Sequence, residues 1–152
     1  MGKRFLTVLA VAVLMCSVAL LGLSGAAEQK APDTITIKAT IWKAHTKSPV
    51  TFSHKKHSAE YGAKCVDCHH VMKDGKNIWK EGDKVQLCQE CHNEPTVTGE
   101  KKLSEAQQKL NLKLAFHNNC QGCHKDLKKK DKAKYGKIPT TCIKCHTKSK
   151  EK

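Results

Sequence analysis

Hydrophobic and polar positions form a structural pattern in only a few places along this chain. An uninterrupted apolar run spans Phe5 to Leu23, preceded by Lys3 and Arg4 and closed by Ser24-Gly25-Ala26-Ala27. A positive start, an apolar middle and a small-residue end are the parts of a secretory signal peptide. Residues 1–27 are therefore expected to be cleaved, leaving 28–152 as a single exported domain. The run is long enough nearly to span a bilayer, so a retained anchor competes; the abrupt small-residue stop favours cleavage, with no stable membrane insertion afterwards. Further on, TITIKATI at 34–41 alternates and is β-branched, which predicts a strand, and VTF at 50–52 can pair with it as a short hairpin. Ser104 and Gln107 form a capping box that opens a helix through EAQQKLNLKLAFH to His117. A shorter helix is expected after Ser53, carrying His54 and His57. The remainder, rich in Lys, Gly and Asp, reads as loop.

These patterns leave little with which to build a core. Beyond the leader the aromatic residues are Trp42, Phe52, Tyr61, Trp79, Phe116 and Tyr135, and charged residues interrupt nearly every segment. Something other than side chains is expected to fill the interior. Loss of Lys3 and Arg4, with no acid among residues 1–27, takes the formal charge from +14 to +12. Every remaining basic residue is lysine, which argues against nucleic acid, where the guanidinium fork is favoured.

The chemistry lies in a repeat. CVDCH (65–69), CQECH (88–92), CQGCH (120–124) and CIKCH (142–146) recur at irregular intervals, so they are a repeated ligand device and not a solenoid. Cleavage removes Cys16, and the eight remaining cysteines all fall in these motifs. Cys65, Cys68, Cys88 and Cys91 have the spacing of a zinc ribbon, as do Cys120, Cys123, Cys142 and Cys145. Disulfides are the plainest reading for an exported chain. Neither explains why histidine follows every pair. Covalent haem attachment uses each residue: two thiols bond the ring substituents and the next histidine ligates iron. Four haem c groups are expected, and they would also supply the missing apolar core.

Each haem iron has two axial positions, so His69, His92, His124 and His146 leave four positions to fill. The spare histidines are His45, His54, His57, His70 and His117, while the only methionine after the leader is Met72. The count favours bis-histidine coordination throughout. Adjacent residues in an extended segment point to opposite sides, so His69 and His70 can serve two different haems. With consecutive Cα atoms about 3.8 Å apart, two such irons lie within roughly 16 Å. His54 and His57, at i and i+3 on one helical face, can likewise serve two haems. His45 is the expected bystander.

FSHKKH, CVDCHH, AFHNNCQGCH and TTCIKCH together resemble the class III c-type cytochromes, the cytochrome c3 family of tetrahaem periplasmic proteins of sulfate- and sulfur-reducing bacteria. The resemblance runs from about Phe52 to His146. It implies a small, mostly helical and irregular multihaem fold with a short N-terminal β-hairpin, few short helices and a core of four haems. It pairs His54 with His69, His70 with His92, His57 with His124, and His117 with His146. All four motifs here have two intervening residues, whereas some members have four, and the stretch 93–116 is long.

Saturated irons leave no substrate position, so an electron carrier and not an enzyme is expected, of low potential because methionine ligation is lacking. The family implies periplasmic hydrogenase as donor and membrane-bound multihaem complexes as acceptors. KDLKKKDKAKYGK at 125–137 is the candidate docking patch for acidic redox partners. The competing function is a small multihaem reductase of metal ions or nitrogen oxyanions, which would need an open iron.

Overall fold

The computed structural model describes residues 31–147, so the expected leader at 1–27 lies outside the described residues. The alternating segment begins with β1 (Ile35–Ile37), which pairs antiparallel with β2 (Val50–Phe52) in the register Ile35 opposite Phe52, Thr36 opposite Thr51 and Ile37 opposite Val50. β-branched residues suit such a half-covered ribbon. The strand is shorter than the alternation, and Ala39 beyond it is buried.

The chain turns helical at His54 and continues as a π turn over Lys56–Glu60. A bond from the Lys55 amide to the Asp33 carbonyl, 3.1 Å, ties this turn to the start of the hairpin. A 3-10 turn over Cys65–Asp67 leads to a second hairpin, β3 (Met72–Lys73) with β4 (Lys76–Asn77). Its two-residue loop, Asp74-Gly75, holds φ of 50° and 76°. Positive φ at both positions is the turn whose twist matches the flanking strands, and Asp-Gly is the dipeptide that tolerates it.

The helical half comprises α1 (Cys88–Cys91), a 3-10 turn (Glu100–Lys102), α2 (Glu105–Leu110), α3 (Leu112–His117), a π turn (Asn118–Gly122), α4 (Cys123–Lys130), α5 (Lys132–Tyr135) and α6 (Cys142–Cys145). Two expectations need correction. The helix opened by the Ser104 capping box is not continuous: Asn111, at ψ 118°, ends α2 and caps α3 through a bond from the Leu114 amide to its Oδ1, 2.9 Å. The backbone of Glu94 takes over there, donating to the Leu110 carbonyl at 3.0 Å and accepting from the Leu112 amide at 3.1 Å. An asparagine that can bond locally outcompetes helix continuation when a second chain segment satisfies the freed groups.

The stretch 125–137, expected as loop, is largely helical in α4 and α5. Lysine is a good helix former, and Asp131 caps α5 through the Lys134 amide at 2.9 Å. Among the described residues the buried apolar side chains are Ala39, Trp79, Leu112 and Leu114, joined by one buried polar residue, Asn111. The side-chain core is as thin as the composition suggests. Among the described residues no helix is long and apolar enough to cross a membrane.

Candidate functional site

Each CxxCH motif is a helical turn with its reactive groups on one side. In three of them the histidine amide closes the turn onto the first cysteine carbonyl: His69 to Cys65 at 2.8 Å, His92 to Cys88 at 2.8 Å and His146 to Cys142 at 2.7 Å. The third motif sits inside the continuous helical stretch of the π turn and α4. Positions one, four and five of such a turn share a face, so two thiols and one imidazole project together.

All eight thiols are free. The motifs also converge on one another. Cys68, Cys145, Cys88 and Cys123 lie near enough to Cys120 to act on its ionisation. Dense surroundings first, then these four sulfurs, push the Cys120 thiol up to about 11, although the residue still exposes surface. Burial likewise raises Cys68, Cys88 and Cys145. These cysteines are held as neutral thiols.

The histidines meet in twos. His54 and His69 have ring centroids 6.2 Å apart, His57 and His124 are 6.2 Å apart, and His70 and His92 are 5.8 Å apart. Metal–imidazole bonds of about 2 Å and a ring radius of about 1.1 Å put the centroids of two trans ligands about 6 Å apart. The spacing fits two imidazoles sharing one iron. Two of these pairs are crossed, at 60° and 78°, and the His57–His124 pair is nearly parallel at 19°. His146 lies close enough to His117 to depress its protonation. The neighbours His54 and His57 thus face different partners, as do the adjacent His69 and His70. Among the described residues no three or more His, Cys, Asp or Glu side chains form a cage for a metal ion. His45 is exposed and meets Trp42 edge-on at 6.0 Å.

Four of the rings are locked from behind. Nδ1 of His57 donates to the Ser53 carbonyl at 2.9 Å, His92 to Lys109 at 2.8 Å, His124 to Pro139 at 2.6 Å and His146 to Ser48 at 2.6 Å. A carbonyl only accepts, so Nδ1 carries the proton and Nε2 keeps the lone pair a metal needs. Such outer bonds also fix ring orientation. Burial, then the neighbouring rings His54 and His70, lowers the pKa of His69; burial, then Lys113 and His146, lowers that of His117. Both shifts favour the neutral, ligating form.

Several supporting residues escaped the sequence reading. The Trp79 ring lies 5.0 Å from His69, tilted 31°. Asn77 binds that region together: its Oδ1 accepts from the amides of Val71 (3.0 Å) and Trp79 (3.1 Å), and its Nδ2 donates to the His69 carbonyl at 3.0 Å. The Asp74-Gly75 signal could have located this hairpin. Phe52 packs 4.5 Å from His57.

Comparison with known proteins identifies the family. The family model described as the Class III cytochrome C family matches residues 27–146. A cytochrome c3 of Maridesulfovibrio salexigens is 36% identical over 126 residues, covering 79% of this chain and 98% of that protein. A cytochrome c3 of Desulfovibrio desulfuricans is 34% identical over 126 residues, covering 78% and 98%.

Proposed function

The chain belongs to the class III cytochrome c family, and from that premise we propose that it is a periplasmic, low-potential electron carrier whose four irons are each closed by two histidines. Membership makes it a multihaem electron-transfer protein with four covalently attached haem c groups. The thioether positions are Cys65 with Cys68, Cys88 with Cys91, Cys120 with Cys123, and Cys142 with Cys145. Each bound haem supplies a one-electron iron couple. The axial pairs in this reading are His54 with His69, His70 with His92, His57 with His124, and His117 with His146.

The observation that carries the reading is the set of imidazole pairs near 6 Å, with ring tautomers fixed by backbone carbonyls. Two fixed rings per iron exclude a substrate, which favours transfer over reduction of a bound oxyanion or metal ion. Histidine in place of methionine keeps the potentials low. His69 and His70, adjacent in the chain and facing different partners, hold two centres within a short transfer distance.

The remaining parts follow from the same reading. Residues 1–27 direct export and 28–152 form one domain in the periplasm. The lysines of α4 and α5 present a positive surface to acidic redox partners, with periplasmic hydrogenase as donor and membrane multihaem complexes as acceptors in sulfate or sulfur respiration. The test is the visible spectrum of the dithionite-reduced holoprotein with and without carbon monoxide. No prompt change is expected. A prompt shift would mean an open iron, and the reductase reading would replace this one.

A further inference from the structure

One charged pair stands apart from the solvated lysines. Lys113 Nζ is 2.8 Å from Glu100 Oε1 and donates to the Val97 carbonyl at 2.6 Å. Their side chains are 29% and 12% exposed, whereas the Lys129–Asp126 pair on α4 is 79% and 75% exposed. Lys113 sits four residues before His117 on α3, one turn away on the same face. Glu100 opens the 3-10 turn after Gly99, which holds φ of 77°. The ammonium is thus fixed at two points, one turn from a histidine of the fourth pair.

We propose that the Lys113–Glu100 pair sets the reduction potential of the iron held by His117 and His146, each charge pulling in the opposite direction. The inference rests on the ligand assignment proposed above. Reduction adds one negative charge at the iron. A fixed ammonium nearby favours the reduced form and a fixed carboxylate the oxidised form. Lys113 lies on the helix that ends at His117, and Glu100 is held 2.8 Å from its ammonium. Held by Glu100 and the Val97 carbonyl, the ammonium acts from a fixed position, whereas the Lys129–Asp126 pair stands in solvent that screens it.

The experiment is a redox titration of the holoprotein in which the four haems are followed separately by NMR, in Lys113→Met, Glu100→Gln and the double variant. One couple alone should move. Lys113→Met should disfavour its reduction and Glu100→Gln favour it, each by on the order of tenfold in the equilibrium constant. For a one-electron couple that is ~59 mV. The double variant should return towards the parent value. A purely structural role would move both single variants in the same direction, or several couples together, and either result would overturn the proposal. A His117→Ala protein separates the two levels. If its reduced form binds carbon monoxide while the charge variants leave every couple unmoved, the inference fails alone; if it stays closed to carbon monoxide, the ligand assignment fails and the inference with it.

Discussion

Asn111 is the residue on which two of the histidine positions turn, and replacing it by alanine tests how the fold delivers them. It is fully buried. Its Oδ1 accepts from the Leu114 amide at 2.9 Å, capping α3, and its Nδ2 donates to the Thr96 carbonyl at 2.8 Å, with a longer reach of 3.4 Å to the Glu94 carbonyl. Losing the cap costs about 1 kcal/mol. Leaving the half-buried Thr96 carbonyl without its donor adds about 1–3 kcal/mol. Asn111→Ala should therefore destabilise the holoprotein by about 2–4 kcal/mol. On one side of the break lies Lys109, whose carbonyl holds His92 Nδ1 at 2.8 Å; on the other, α3 ends at His117. The loss should be greatest at those two histidines. Guanidinium unfolding of the ferric holoprotein, followed by far-UV circular dichroism, gives the change from the midpoint at constant slope. A loss below about 0.5 kcal/mol, the range of an ordinary surface substitution, would refute the view that Asn111 organises this junction.

Two further outcomes follow from the surface and the second hairpin. Lys128→Glu with Lys129→Glu should slow electron exchange with an acidic redox partner by roughly tenfold at low salt and flatten its ionic-strength dependence; unchanged stopped-flow rates would remove α4 from the docking face. Gly75→Val forces a β-branched side chain into φ of 76° and should cost about 1–2 kcal/mol, read as a lower unfolding midpoint, while an unchanged midpoint would show that the turn tolerates a side chain.

What the sequence disclosed and what it hid divide along the reach of the interactions. The CxxCH motifs and the surplus of histidines were legible because attachment and ligation need fixed residue types at short spacing. The alternation at 34–41 announced β1, and Val50–Phe52 announced its partner. The Asp74-Gly75 turn was present in the sequence but short, and its purpose, seating Trp79 beside His69, appears only in three dimensions. The break at Asn111 needed the backbone of Glu94, distant in the chain. The helicity of the lysine stretch was masked because charge density resembles that of a loop, although lysine itself favours helix. Least legible were the carbonyls that orient the histidines: Ser48 meets His146 across 98 residues, and Lys109 and Pro139 reach back 17 and 15 residues to His92 and His124. Carbonyls belong to every residue, so no sequence signal marks the ones that matter.

The same division bears on what holds the fold together. Leu112, Leu114, Trp79 and Ala39 are the apolar side chains buried among the described residues, and three of these four serve the helix junction and the His69 region. Val66, Leu87 and Ile143 stand exposed on the polypeptide, each inside or beside a CxxCH motif. An attached haem would give apolar residues placed there a partner, and histidine pairs sharing an iron, as proposed above, would cross-link segments far apart in the chain. Burial of so few side chains cannot offset the conformational entropy of a chain this long. The prediction is that the polypeptide made without haem attachment lacks a cooperative fold: far-UV circular dichroism should show little helix, and guanidinium should produce a broad, shallow change. Removing one attachment pair, Cys88→Ala with Cys91→Ala, should loosen the His70 and His92 region while the other three motifs keep the rest compact. A haem-free chain that unfolds in a sharp transition near the holoprotein midpoint would show that the side chains alone specify the fold, and that the paired histidines are prearranged by the polypeptide instead of being drawn together by the groups they bind.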